Sequence, residues 1–461
     1  MELKSMRKQP LVLLVFIWVM LIVSACGSAG NNEVKGEAAL ASTESGIVPV
    51  EPVKIIWWHS MSGELETTLK KLVSDFNASQ EKVQVEAVFQ GTYDESLNKL
   101  KASMDSESSP TLMQVYEIGS RYMIDTKAIT PIQTFIDKEQ YDISGLEQNI
   151  LNYYTFDKQL YSMPFNTSNP ILYYNKDAFK DAGLDPENPP TTYEEVAVAA
   201  KKLTKKGQSG ASFAIYGWFM EQLFANQGQD LLDNGNGRTS PATSSLLNNE
   251  TGVSTLKWWK QMLDDKSLIN LGRKTDDTKK AFAAGQIAMT LDSTASLRGI
   301  VTAAEGKFEV GTTTLPRPEA GKKGGVIVGG ASLWILNNRS ESEQQGAWEF
   351  IKFLANPTTQ AYWHVNTGYF PITLKAYDEQ IVKDNLTKYP QFQTAVDQLH
   401  NTIPSQATQG AVMGVFPEAR QLTETAIEEV LNNNKSPEQA LDNAAKEITL
   451  KIQEYNQTVS K

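Results

Sequence analysis

The chain has 461 residues, with 54 acidic against 43 basic side chains, a net charge of -11 and a single cysteine. An acidic chain without a basic stretch excludes nucleic acid as a partner. One cysteine excludes a disulfide framework, so the fold rests on hydrophobic burial, and the length exceeds what one core usually supports, which predicts two lobes.

Lys4, Arg7 and Lys8 precede an unbroken apolar run over 11–23, followed by Ser24, Ala25 and Cys26. A positive start, a short apolar core and small residues make a secretory signal. The run is shorter than the roughly 20 residues a membrane span needs. Residues 1–25 therefore read as a signal peptide. Segment 26–50 is rich in Gly, Ala, Ser and Glu and has no aromatic residue, a composition too polar to order itself. It reads as a tether. No long apolar run follows.

Residues 52–58 alternate as a buried strand does, and Leu65, Leu69, Leu72, Val73 and Phe76 recur at helical spacing. Strand 83–89, helix 93–104 and strand 111–116 follow. Strand, helix, strand, helix, strand implies crossovers and a largely parallel sheet, an α/β fold. Ligands of such sheets bind at the carboxyl ends of the strands, where His59, Tyr93, Tyr116 and Glu117 fall. Thr192 with Glu195, and Ser436 with Gln439, have the spacing of capping boxes. An amphipathic helix over 348–354 is expected to stop near Pro357. The last helix carries Leu441, Ala445, Ile448, Ile452 and Tyr455 on one face. Of the adjacent pair Trp57 and Trp58, one is expected in the core, and Trp258 with Trp259 reads as helix packing.

His59, His364 and His400 are far apart and lack metal-ligand spacing. No Gly-x-Ser-x-Gly elbow and no Gly-x-x-x-x-Gly-Lys loop is present. No metal, cofactor or catalytic residue is therefore expected, and the chain reads as a non-enzyme.

Four stretches carry a resemblance to a known family: 58–65 (WHSMSGEL), 114–119 (QVYEIG), 164–168 (PFNTS) running into 172–179 (LYYNKDAF), and 329–334 (GGASLW). Trp363-His364 with 367–372 (TGYFPI) adds a fifth. With them the chain resembles extracellular solute-binding proteins of the maltose-binding superfamily, and is most similar to the glycerol-3-phosphate-binding branch that serves ABC importers. The resemblance implies a two-lobed, periplasmic-binding-protein-like (type II) fold with the ligand in the cleft. Lobe 1 is expected over 51–166 and 292–334, lobe 2 over 170–289 and 338–455, with crossings near 166–170, 290–293 and 333–337.

Carried over residue by residue, the resemblance puts Tyr93 and Glu117 on the glycerol hydroxyls. Ser168, Ser293, the backbone of Gly330, Tyr369 and Arg420 surround the phosphate, and Trp218 lies beside them. A diol needs donors and acceptors, and a phosphate needs donors, which an arginine fork supplies. The family places two tryptophans three apart where this chain has Ile215 and Trp218, which disfavours a choline-like cation. Residues 21–26 (LIVSAC) resemble a bacterial lipobox, implying cleavage before Cys26, a diacylglycerol on its sulfur, and attachment to the outer face of the cell membrane. The implied partners are a small-molecule ligand, the permease subunits of an importer and, through the anchor, the membrane, with the chain itself a monomer. Alternative readings are a sugar or oligosaccharide ligand, a secreted glycerophosphodiester hydrolase, and an adhesin.

Overall fold

The structure, a computed structural model, describes residues 51–104, 106–321 and 324–459. The expected signal, Cys26 and the tether lie outside the described residues. Among the described residues no helix is long and apolar enough to cross a membrane.

Twelve strands form the described sheets. In chain order they are β1 (Val53–His59), β2 (Val83–Phe89), β3 (Leu112–Tyr116), β4 (Ile129–Thr130), β5 (Thr155–Phe156), β6 (Gln159–Leu160), β7 (Met163–Ser168), β8 (Pro170–Asn175), β9 (Ser209–Ser212), β10 (Ile287–Ser293), β11 (Val310–Thr313) and β12 (Gly329–Leu336). The first sheet runs β2-β1-β3-β12-β4, with β7 also on β12. The second runs β11-β8-β10-β9, and β5 and β6 form a separate hairpin. β1 pairs parallel with β2 and β3, as the intervening helices Gly63–Ser79 and Tyr93–Ser103 require. β12 is antiparallel to β3, β4 and β7, so the first sheet is mixed.

In β1 the pleat sends Ile55, Trp57 and His59 into the core, while Trp58 stays half-buried on the other face. Trp57 meets the edges of Phe165 and Phe350, at centroid distances of 5.7 and 5.3 Å. The capping boxes at Thr192 and Ser436 form. Trp259 is buried, and Trp258 stacks on Tyr193 at 4.0 Å.

The chain leaves the first sheet after Ser168 and enters the second at Pro170. Two expectations need correction. The return was expected at 290–293, but β10 and β11 both belong to the second sheet, and Leu297 and Ile300 pack with Ile171 and Val310. The return therefore lies between Thr313 and Gly329. Nor does the chain cross at 333–337. The next helix, Glu341–Leu354, puts Ala347, Trp348, Phe350 and Ile351 against Ile55 and Trp57. Which sheet a segment joins is set by the strand it pairs with, and β10, β11 and β12 find theirs far away in the chain. Pro357 does not merely end a helix either. It opens the next one, Pro357–Thr367, where a missing N–H costs nothing.

Candidate functional site

The strand ends and helix starts converge on one cavity of ≈ 210 Å³. Tyr93 opens its helix behind the Thr92 cap, and Glu117 follows β3 in a single tight turn. Ser168 ends β7 and Ser293 ends β10. Tyr369 follows Gly368, the left-handed residue that ends helix Pro357–Thr367. Trp218 is the second residue of helix Gly217–Asn226. All of these, with Gly330 of β12, line the cavity. Gly330 sits at φ +91°, and a Cβ there would fall 1.9 Å from the carbonyl oxygen of Asn166. Only glycine lets β12 meet β7 at this point.

Tyr93 is held from behind. The Ser60 N–H donates to Gln114 Oε1 at 2.8 Å, Gln114 Nε2 donates to Asn166 Oδ1 at 2.7 Å, and Asn166 Nδ2 donates to the Tyr93 oxygen at 2.8 Å. Its ring stacks on Tyr116 at 5.3 Å, and Tyr116 donates to Asp94 at 2.6 Å. Tyr369 lies flat on Trp363, 5.6 Å between centroids and 6° between planes. Desolvation pushes both Tyr93 and Tyr369 above the usual phenol range, so they stay neutral and keep a proton to donate.

Arg420 is placed elsewhere than expected. It does not line the cavity. It is buried behind it, with Nε and Nη2 donating to the two oxygens of Glu221 at 2.8 Å each, and Nη2 donating to Glu117 Oε1 at 2.7 Å. The fork assigned to a phosphate is thus engaged by two carboxylates. Burial pushes Glu117 up against the downward pull of Arg420, while Glu221 and Glu117 together hold Arg420 well above its ordinary value against burial. A buried cation takes the partners that burial leaves beside it, because an unpaired one is too costly.

Residues 71–394 match the model of the family described as bacterial extracellular solute-binding protein. The chain belongs to that family. The sn-glycerol-3-phosphate-binding periplasmic protein UgpB of Pectobacterium atrosepticum is 35% identical over 410 residues, covering 88% of this chain and 92% of that one. Its Escherichia coli counterpart is 35% identical over 398 residues, covering 85% and 90%. The crystal structure of UgpB from Mycobacterium tuberculosis in complex with glycerophosphocholine superposes with a TM-score of 0.73 at 23% identity, over 88% of this chain and 99% of that one. A cyclic alpha-maltosyl-1,6-maltose binding protein from Arthrobacter globiformis gives 0.69 at 23%, over 87% and 98%. The two-lobed fold is common to this chain and both solved structures.

In this solute-binding protein seven of the eight residues assigned to the ligand therefore share one cavity, and the eighth, Arg420, stands behind it. Sequence reasoning missed others on the wall, among them Tyr216, Asp292 and Ser296. Asp292 is buried. Its Oδ1 accepts from the Ser293 N–H at 2.7 Å and Ser296 Oγ at 2.8 Å, and burial pushes its carboxyl up against the pull of Lys279. Glu221 was missed although a signal existed. It is a carboxylate inside a helix whose every residue is buried, and such a group demands a cation. Ile215, where the family has a tryptophan, is buried in the core and absent from the wall. Among the described residues no cluster of three or more His, Cys, Asp or Glu could hold a metal.

Proposed function

We propose that this solute-binding protein takes up sn-glycerol-3-phosphate or a related glycerophosphodiester and delivers it to the permease subunits of an ABC importer. The observation that carries the reading is the convergence of Tyr93, Glu117, Ser168, Trp218, Ser293, Gly330 and Tyr369 on one cavity. Relatives named for binding that ligand, 35% identical over most of the chain, support it. Glu117 accepts from the glycerol hydroxyls and Tyr93 donates or accepts. Ser168, Ser293, Tyr369 and the Gly330 N–H donate to the phosphate. Arg420 takes a different role from the one first assigned: it holds Glu117 in place. The lobes close on the ligand, and the closed state is the one the importer reads.

One observation favours a second reading, a neutral sugar. The wall carries Glu117 and Asp292 and no lysine or arginine among the described residues. Melting curves with glycerol-3-phosphate, glycerophosphodiesters and maltose separate the two. A specific ligand at 100 times its Kd adds about 2.7 kcal/mol of apparent stability, and glycerol-3-phosphate is expected to do so while maltose does not. A response to maltose alone would replace the phosphate reading. No turnover is expected, so the phosphodiesters should be recovered intact.

The protein is further proposed to be held at the outer face of the membrane by a diacylglycerol on Cys26. Cys26→Ala should abolish incorporation of labelled fatty acid, and persistent label would refute the anchor.

A further inference from the structure

The ligand cavity does not end at its own wall. Leu65, Ala295 and Ser296 line it and also line a larger bay of ≈ 400 Å³. The bay opens between the start of helix Gly63–Ser79 and the two helices Thr275–Ala283 and Leu297–Ala304, which flank β10.

The balance of charge in the bay is opposite in sign to that of the cavity. Its wall carries Lys279, Lys280 and Arg298 against Glu64 and Asp276. Lys279 Nζ lies 2.8 Å from Asp276 Oδ1, so these two offset each other. Glu64 is exposed at the rim. Arg298 is held by neutral oxygens. Its Nε and Nη2 donate to the carbonyl of Val365 at 2.9 and 2.6 Å, Nη2 also donates to Asn385 Oδ1, and the guanidinium lies over the Tyr389 ring at 4.2 Å. None of these contacts cancels its charge. Lys280 forms no close ion pair with another described residue, and shares with Lys279 the pull on the single carboxylate of Asp276. A chain of net charge -11 thus turns a locally positive bay toward its ligand.

We infer that the bay is a second subsite, which takes the head group of a glycerophosphodiester and favours one bearing an anionic group, such as a second phosphate. This rests on the glycerophosphate reading above and deepens it. The glycerol and the first phosphate occupy the cavity, and the ester-linked alcohol passes Ser296 into the bay. A quaternary ammonium is the poorer ligand there, because the bay has more cations than carboxylates and no aromatic side chain.

The test is calorimetric titration of the purified protein with four probes: glycerol-3-phosphate, glycerophosphocholine, glycerophosphoglycerol and glycerophosphoglycerol phosphate. The anionic diester should bind most tightly and the choline diester least, with the preference shrinking at high salt. Lys280→Gln should weaken the anionic diester by about fivefold, the upper end for one exposed ion pair, and leave glycerol-3-phosphate unchanged. If glycerol-3-phosphate binds but the three diesters bind alike, or the choline diester binds best, the bay is no subsite. If glycerol-3-phosphate itself does not bind, the underlying reading fails and takes the subsite with it.

Discussion

Replacing Arg420 by alanine is expected to destabilise the fold by about 3–5 kcal/mol, the cost of removing one partner from a buried ion cluster. From the sequence, a cleft arginine should leave folding almost untouched. The structure reverses that expectation. Arg420 is 6% exposed, and its removal would strand Glu117 and Glu221, at 5% and 7%, without their cation. Arg420→Lys should lose less, since it keeps the charge but cannot span both carboxylates. Arg420→Met combined with Glu221→Met should regain part of the loss, because fewer buried charges are then left unpaired. Urea denaturation of the four proteins checks this. A midpoint for Arg420→Ala equal to that of the unaltered protein would mean the cluster is not formed. Ligand affinity should fall with Arg420→Ala as well, because Glu117 loses the group that orients it.

Trp363→Ala should cost about 3–5 kcal/mol, the range for a large aromatic ring removed from a core. Trp363 is fully buried and stacked on Phe165 at 4.9 Å and on Tyr369 at 5.6 Å. Its Nε1 has no hydrogen-bond partner among the described residues, so the loss is one of packing. The stack joins the core of the first sheet to the ligand wall. The same variant should therefore weaken ligand binding, because Tyr369 no longer rests on a rigid surface. Trp363→Phe, which keeps a ring in the stack, should retain most of both properties. Thermal melts with and without ligand measure the two effects. A destabilisation below about 1 kcal/mol would show that the site collapses without penalty, against the usual behaviour of cores.

Local patterns were legible because they report local physics. The period of Leu69, Leu72, Val73 and Phe76 gave the first helix, and those residues are its buried face. Leu65 shares the period yet lines the cavity, since periodicity tells which face is apolar and not what covers it. The capping boxes at Thr192 and Ser436 could be read from spacing alone, because a cap closes within four residues. The wall residues came from a resemblance of motifs, and those motifs sit at strand ends and helix starts, where an α/β sheet exposes its ligand groups.

What the sequence by itself determined is thus the alternation of strands and helices, the caps, the apolar faces and the motifs that carry the site. The tertiary structure alone decided which sheet each strand joins. β12 enters the first sheet beside β3, more than two hundred positions earlier in the chain, and β11 joins the second sheet against the expected boundary. It alone decided Arg420, whose partners Glu221 and Glu117 lie 199 and 303 residues away. Glu418, two residues before it, and Glu424, one turn after it, are not its hydrogen-bond partners. A helix period is set by backbone geometry within one segment. The partner of a buried charge is set by which groups the packing of distant segments removes from water together, and no local pattern encodes that.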